Sequence, residues 1–172
     1  MASKRAPKAS LPCRLSKIRC LVMDVDGVLT DGRIILDASG AEYKAFDAHD
    51  GYGIVRAQRE GIRCAIISGR SSGVVKRRAA ELGIRDVALG VPDKERALRA
   101  LFAAYGLSSE EVCCIGDDEP DLPMLTAAGV SAAPSSAVPV VLGSVDIVTT
   151  APGGRGAVRE LLDMIHAARA RR

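Results

Sequence analysis

L-V-M-D-V-D-G-V-L-T-D-G, residues 21 to 32, decides how this chain is read. An apolar run ends in two aspartates two residues apart, and a glycine follows at once. Side chains at i and i+2 share one face of a strand, so Asp24 and Asp26 project together where the strand gives way to a turn. Two anions held that close repel unless a cation lies between them. Hard oxygen ligands favour magnesium, and magnesium in turn points to a phosphate substrate. Aspartates that only form the turn and cap the next helix are the competing account of the same residues.

Three other places bear on that choice. Residues 62 to 67 form a second apolar run that ends in Ser68-Gly69-Arg70, and a third, 112 to 115, ends in Gly116-Asp117-Asp118 with Asp121 close behind. Each polar cluster follows a β-branched-rich segment and precedes a helical pattern, which is where open parallel α/β sheets build their sites. Asp93-Lys94-Glu95 opens a helical stretch to about residue 105. Lys94 is a point charge of the kind that holds a phosphoryl oxygen, or else a solvated helix lysine.

Strand patterns fall near 19 to 25, 62 to 67, 86 to 89, 112 to 116 and 145 to 148, and helical patterns near 51 to 60, 71 to 82, 93 to 105, 119 to 128 and 155 to 169. This alternation predicts an α/β fold with a central parallel sheet and helices on both faces. Residues 33 to 46 break the rhythm: R-I-I-L-D and A-E-Y-K-A-F flank A-S-G and read as a β-hairpin turning near 38 to 40. Such a ribbon is marginal alone, and Ile34, Ile35, Tyr43 and Phe46 supply apolar surface for packing on something.

The 172 residues, 48% hydrophobic, suit one sizeable core and leave no room for a separate cap domain. No apolar run approaches the roughly 20 residues needed to span a bilayer. The formal charge is +3, but five of the 24 lysines and arginines lie in residues 1 to 17, which contain no acid. The remainder carries 19 basic against 21 acidic side chains, so the globular part, 18 to 172, is not a nucleic-acid binder. Residues 1 to 17 lack the apolar segment of a secretory signal; a disordered basic tail is expected, with a short organelle transit peptide as the other reading. Five cysteines without C-x-x-C spacing, four of them within or beside strands, point to free thiols in a reducing cytoplasm rather than to zinc or redox chemistry.

In order, D-V-D-G-V, S-G-R, a lysine and G-D-D-x-x-D resemble the motifs of the haloacid dehalogenase (HAD) superfamily of aspartate-nucleophile phosphatases, over residues 24 to 121. D-V-D-G-V-L-T-D-G, K-A-F-D-A-H-D-G-Y-G-I at 44 to 54 and G-G-R-G-A-V-R-E at 153 to 160 narrow the resemblance to the capless phosphatases of 3-deoxy-D-manno-octulosonate 8-phosphate (Kdo 8-phosphate). That resemblance implies a Rossmann-like core with the hairpin in place of a cap, and hydrolysis of Kdo 8-phosphate in lipopolysaccharide precursor synthesis. It implies Asp24 as nucleophile and Asp26 as general acid and base. Magnesium would lie between Asp24, the backbone carbonyl of Asp26, Asp117 and a phosphoryl oxygen. Asp118 and Asp121 would orient the metal's waters, direct ligation by either being left open, and Ser68 and Lys94 would hold the phosphoryl group. The family's hairpins join in a homotetramer and help cover a neighbouring site; a hairpin lying on its own subunit is the alternative.

The sugar acid carries a carboxylate as well as a phosphate, and a guanidinium matches it. Arg70 is similar to the arginine usual in Kdo 8-phosphate phosphatases, where relatives acting on nine-carbon sugar acids can carry glutamate. Arg78, two helical turns on, and Arg155, in the glycine-rich loop before the last helix, are further candidates. His49, where the family often has arginine, and P-S-S-A-V-P at 134 to 139 depart from the pattern, so a phosphatase of a nine-carbon sugar acid stays open. Two readings come from other classes. A receiver-like signalling module would need its phosphorylated aspartate where this chain has Ser68. An inactive binding relative fits poorly with a chain that retains Asp24, Asp26, Ser68, Lys94 and Asp117.

Overall fold

The computed structural model describes residues 9 to 171. The elements follow in the order α1 (Leu11–Leu15), β1 (Cys20–Met23), β2 (Ile35–Leu36), β3 (Glu42–Tyr43), α2 (Ala48–Arg59), β4 (Arg63–Ser68), α3 (Gly73–Glu81), β5 (Asp86–Leu89), α4 (Lys94–Tyr105), β6 (Val112–Ile115), α5 (Leu122–Ala127), β7 (Val130–Ala133), α6 (Pro139–Leu142), β8 (Ile147–Val148) and α7 (Ala157–Ala170). Six strands form a parallel sheet in the order β5-β4-β1-β6-β7-β8. The strand order reverses at β1, so the chain diverges on either side of its carboxyl end and leaves a crevice there.

Strand alternation divides the core in two. Leu21, Met23, Cys64, Ile66, Cys113 and Ile115 face Ile54, Val75, Ala79, Leu161, Leu162 and Ile165 from α2, α3 and α7. Cys20, Val22, Ala65, Ile67, Val112 and Cys114 face Leu98, Met124, Leu125 and Val141 from α4, α5 and α6. The central strands are therefore apolar on both sides, as a sheet covered on both faces requires. Cys20, Cys64, Cys113 and Cys114 are buried and Cys13 is exposed, all five as free thiols.

Several expectations need correction. The acid-free start is not a disordered tail as far as residue 17: residues 1 to 8 lie outside the described residues, but α1 docks on α7 with Leu15 buried and Leu11 against the core. Arg14 pairs with Asp146 at 2.6 Å and so satisfies an acid beside β8. The Leu11/Leu15 spacing of i, i+4 carried that signal beneath the basic composition. β7, sequence V-S-A-A, was not expected, because alanine and serine are poor strand formers; its burial between β6 and β8 decides it. α2 begins earlier than expected, at Ala48, because Asp47 accepts from the His49 and Asp50 amides and caps it.

The hairpin forms with Ile35 opposite Tyr43, and the Asp37 carboxylate accepts from the Ser39 and Ala41 amides across the expected turn. Phe46 does not belong to its apolar surface: it leaves the ribbon and packs on the chain's own core. Ile34, Ile35, Leu36 and Tyr43 remain exposed.

Candidate active site

Register builds the pocket. Met23 pairs with Ile66 and Ile115 on its two flanks, so Ser68 and Asp117 lie two residues beyond the ladder on either side of the Asp24 to Asp26 turn. Gly27 turns the chain with φ of +90°, and any Cβ there would collide with the Asp117 carboxylate. Gly116 plays the matching part just past β6, where a Cβ would collide with the Asp121 side chain. The two glycines let carboxylates from β1 and from the β6 loop crowd together.

Oxygens of Asp24, Asp117 and Asp121 all lie within 4.8 Å of one another. Lys94, the first residue of α4, enters from the side: its Nζ donates to Asp24 Oδ1 at 2.8 Å and to Asp121 Oδ1 at 2.5 Å. The other Asp121 oxygen accepts from the Asp117 and Asp118 amides at 2.9 and 3.3 Å, fixing the β6 loop. Burial, then the Asp121 charge, pushes the Asp24 carboxyl up to about 6 against the pull of Lys94. Burial, then Asp24 and Asp121, pushes Asp117 up to about 7. Burial opposes the Lys94 ammonium, but Asp24 and Asp121 outweigh it and hold its pKa above the ordinary lysine value. One ammonium facing three carboxylates leaves the cluster short of positive charge, and the donors are hard oxygens. A magnesium ion fits such a set.

Most expected residues assemble here. Asp24, Ser68 and Lys94 are buried at the carboxyl ends of their strands or the start of their helix. Asp121 lies inside the oxygen cluster, a candidate ligand itself. Asp118 is exposed, and its Oδ1 caps its own turn by accepting from the Glu119 amide at 2.8 Å. The Asp26 side chain is turned to Lys44 and to Arg70, whose Nη1 lies 3.6 Å away. Arg78 does not join the pocket: it pairs with Glu81 at 3.0 Å and lies over the Phe46 ring, because α3 turns that face toward α2. Arg155 is exposed, although its loop does reach the site's turn: Gly154 N donates to the Val28 carbonyl at 2.9 Å, and a Cβ on Gly153 would collide with the Gly27 backbone. His49 is exposed beside Asp47.

Two contributors escaped the sequence reading. Lys44, its side chain 1% exposed, pairs with Asp26, and Glu42 accepts from Ser72 Oγ at 2.5 Å. Their i, i+2 spacing on a hairpin strand was the available signal. The hairpin thus touches its own subunit's pocket through its inner face.

A family model described as haloacid dehalogenase-like hydrolase matches residues 54–129. The chain is 43% identical over 152 residues to the 3-deoxy-D-manno-octulosonate 8-phosphate phosphatase KdsC of Haemophilus influenzae, covering 88% of this chain and 84% of that protein. Among solved structures, the Yersinia pestis 3-deoxy-D-manno-octulosonate 8-phosphate phosphatase superposes with a TM-score of 0.92 at 41% identity, covering 93% of this chain and 86% of that one. The Moraxella catarrhalis phosphatase, in complex with magnesium ion, phosphate ion and Kdo, gives a TM-score of 0.90 at 40% identity, with coverage of 92% and 91%.

Proposed function

Because this chain belongs to the 3-deoxy-D-manno-octulosonate 8-phosphate phosphatase family of haloacid dehalogenase-like hydrolases, we propose that its acidic pocket hydrolyses Kdo 8-phosphate to Kdo and phosphate with magnesium. The observation that carries this reading is the cluster of Asp24, Asp117 and Asp121 around the buried Lys94 ammonium at the mouth of β1. The relatives' names supply the sugar.

Asp24 attacks phosphorus in line through a carboxylate oxygen, giving an aspartyl-phosphate as the bond to the sugar oxygen breaks. Asp26 gives its proton to that departing alkoxide and, as a carboxylate, takes one from the water that then attacks the phosphorus. Ser68 and Lys94 hold the phosphoryl oxygens, Lys94 sharing its charge between Asp24 and the transferred group. Asp24, Asp117 and Asp121, with the Asp26 carbonyl, would hold magnesium. When bound, the ion neutralises charge on the equatorial oxygens and lets the anionic substrate approach the anionic nucleophile. Arg70 recognises the sugar carboxylate.

The apolar side chains that the hairpin leaves exposed, Ile34, Ile35, Leu36 and Tyr43, suit burial against other copies, so a cytoplasmic homotetramer is part of the proposal. No described helix is long and apolar enough to cross a membrane. A phosphate-release screen over sugar phosphates, with and without magnesium, tests the reading. Kdo 8-phosphate is expected to be the best substrate. A nine-carbon sugar acid 9-phosphate turned over faster would reassign the sugar, and full activity in excess chelator would overturn the metal.

A further inference from the structure

The second arm of the hairpin turns two charged side chains toward the pocket, Glu42 in β3 and Lys44 just past it, while Tyr43 between them is exposed. Lys44 pairs with Asp26 and lies 3.4 Å from Glu42 Oε1. The same Glu42 oxygen is 3.2 Å from Arg70 Nη2, and Arg70 Nη1 is 3.6 Å from Asp26 Oδ2. Asp26, Lys44, Glu42 and Arg70 therefore close a ring of alternating charge whose sum is zero.

We propose that Glu42 is an internal competitor for the substrate's carboxylate. It occupies Arg70 and Lys44 in the resting enzyme, yields them when the sugar acid binds, and retakes them to expel the product, which still carries its carboxylate. This rests on the reading of the pocket as a site for a phosphorylated sugar acid.

Charge is the first argument. Withdrawal of Glu42 raises the charge that an incoming carboxylate meets by one unit, whether Asp26 is a carboxylate or carries the proton it gives to the leaving group. Hydrogen bonding is the second. The remaining anchor of Glu42 is the Ser72 hydroxyl at 2.5 Å, and Ser72 also accepts from the Val75 amide at 3.3 Å as the cap of α3, so it keeps a partner when Glu42 leaves. Reach is the third. The exchange asks only that the Glu42 side chain turn away from Arg70 and Lys44, so the ribbon that carries it, and any assembly the ribbon holds, can stay in place. Arg70, 42% exposed, stays open to a second carboxylate.

Glu42→Gln keeps the side chain's shape and removes its charge. The expected result is a fall in KM for Kdo 8-phosphate and in the inhibition constant of free Kdo, each on the order of three- to tenfold, the scale of one charge-assisted contact. The kcat/KM ratio of the sugar acid phosphate to a neutral hexose phosphate should rise by a similar factor. A raised KM for the sugar acid would show that Glu42 instead holds Arg70 in place, and equal shifts for both substrates would show a general effect on the pocket; either overturns the proposal. Calorimetry with free Kdo on both proteins separates this inference from the function itself. If the wild type turns over no sugar acid phosphate, the functional reading fails. Unchanged Kdo affinity in Glu42→Gln overturns the exchange on its own.

Discussion

Replacing Lys94 with methionine would remove the one ammonium from the buried carboxylate cluster while filling much of its volume. Its Nζ lies 2.8 Å from Asp24 and 2.5 Å from Asp121, and the three side chains are 7%, 8% and 1% exposed. Breaking a buried pair by removing one partner costs about 3–5 kcal/mol. At about 2–4 °C per kcal/mol for a chain of this size, the metal-free variant should melt roughly 6–20 °C below the wild type near pH 8. The cost depends on pH with a definite sign. A carboxyl whose folded pKa is raised contributes no penalty below its unfolded value, and a growing one as pH rises through the folded value. Asp24 at about 6 and Asp117 at about 7 are already raised with Lys94 present, and both rise further without it. The melting difference should therefore shrink at pH 5. Magnesium, as a replacement cation, should restore much of the lost stability but not turnover, since the phosphoryl group has lost a ligand. Scanning calorimetry at the two pH values, with and without magnesium, reads all of this. A difference that is the same at pH 5 and pH 8, or insensitive to magnesium, would refute the charge argument.

Asp24→Asn should fold normally and lose turnover altogether, because a nearly isosteric amide is no anionic nucleophile; residual hydrolysis at a near-normal rate would remove Asp24 from that role. Asp26→Asn should slow sugar phosphates far more than an activated aryl phosphate, whose leaving group needs no proton, and equal slowing in steady-state assays would contradict the acid assignment. Magnesium affinity should be full above pH 8 and fall as pH drops through about 7 and then about 6, with proton release on binding, since Asp117 and Asp24 must be ionised to ligate. Calorimetry in two buffers would show this, and a constant affinity from pH 8 to pH 6 would contradict it. Ile35→Asp with Leu36→Asp should yield smaller particles by light scattering if the hairpin holds copies together, and an unchanged mass would leave the ribbon as local structure.

What could be read from the sequence followed the strength of local patterns. β1, β4 and β6 declared themselves because central strands are continuously apolar, and the polar residues at their ends fell where a parallel sheet gathers them. Asp24, Ser68 and Asp117 could be placed at those ends for that reason, whereas Lys94, at the start of α4, entered as a candidate through the family resemblance. β7 was not legible, because V-S-A-A becomes a strand only through its neighbours. Lys44 and Glu42 were hidden for a different reason: their partners Asp26, Arg70 and Ser72 lie 18 to 30 residues away, on elements that only the folded chain brings alongside. Arg78 illustrates the reverse case. Its place two helical turns after Arg70 suggested a shared face, but α3 directs that side chain at Phe46 and α2.

The distribution of cysteines makes the chain its own reporter. Cys20, Cys64, Cys113 and Cys114 are threaded through the three central strands, where burial raises every thiol pKa, to about 12 for Cys20 and Cys64. Cys13 alone is exposed, on the small helix that docks against α7. A maleimide dye added to native protein would therefore mark a single position, on α1. The other four sulfurs become countable only as the sheet opens, so the stoichiometry of labelling against time reads global unfolding without any engineered probe.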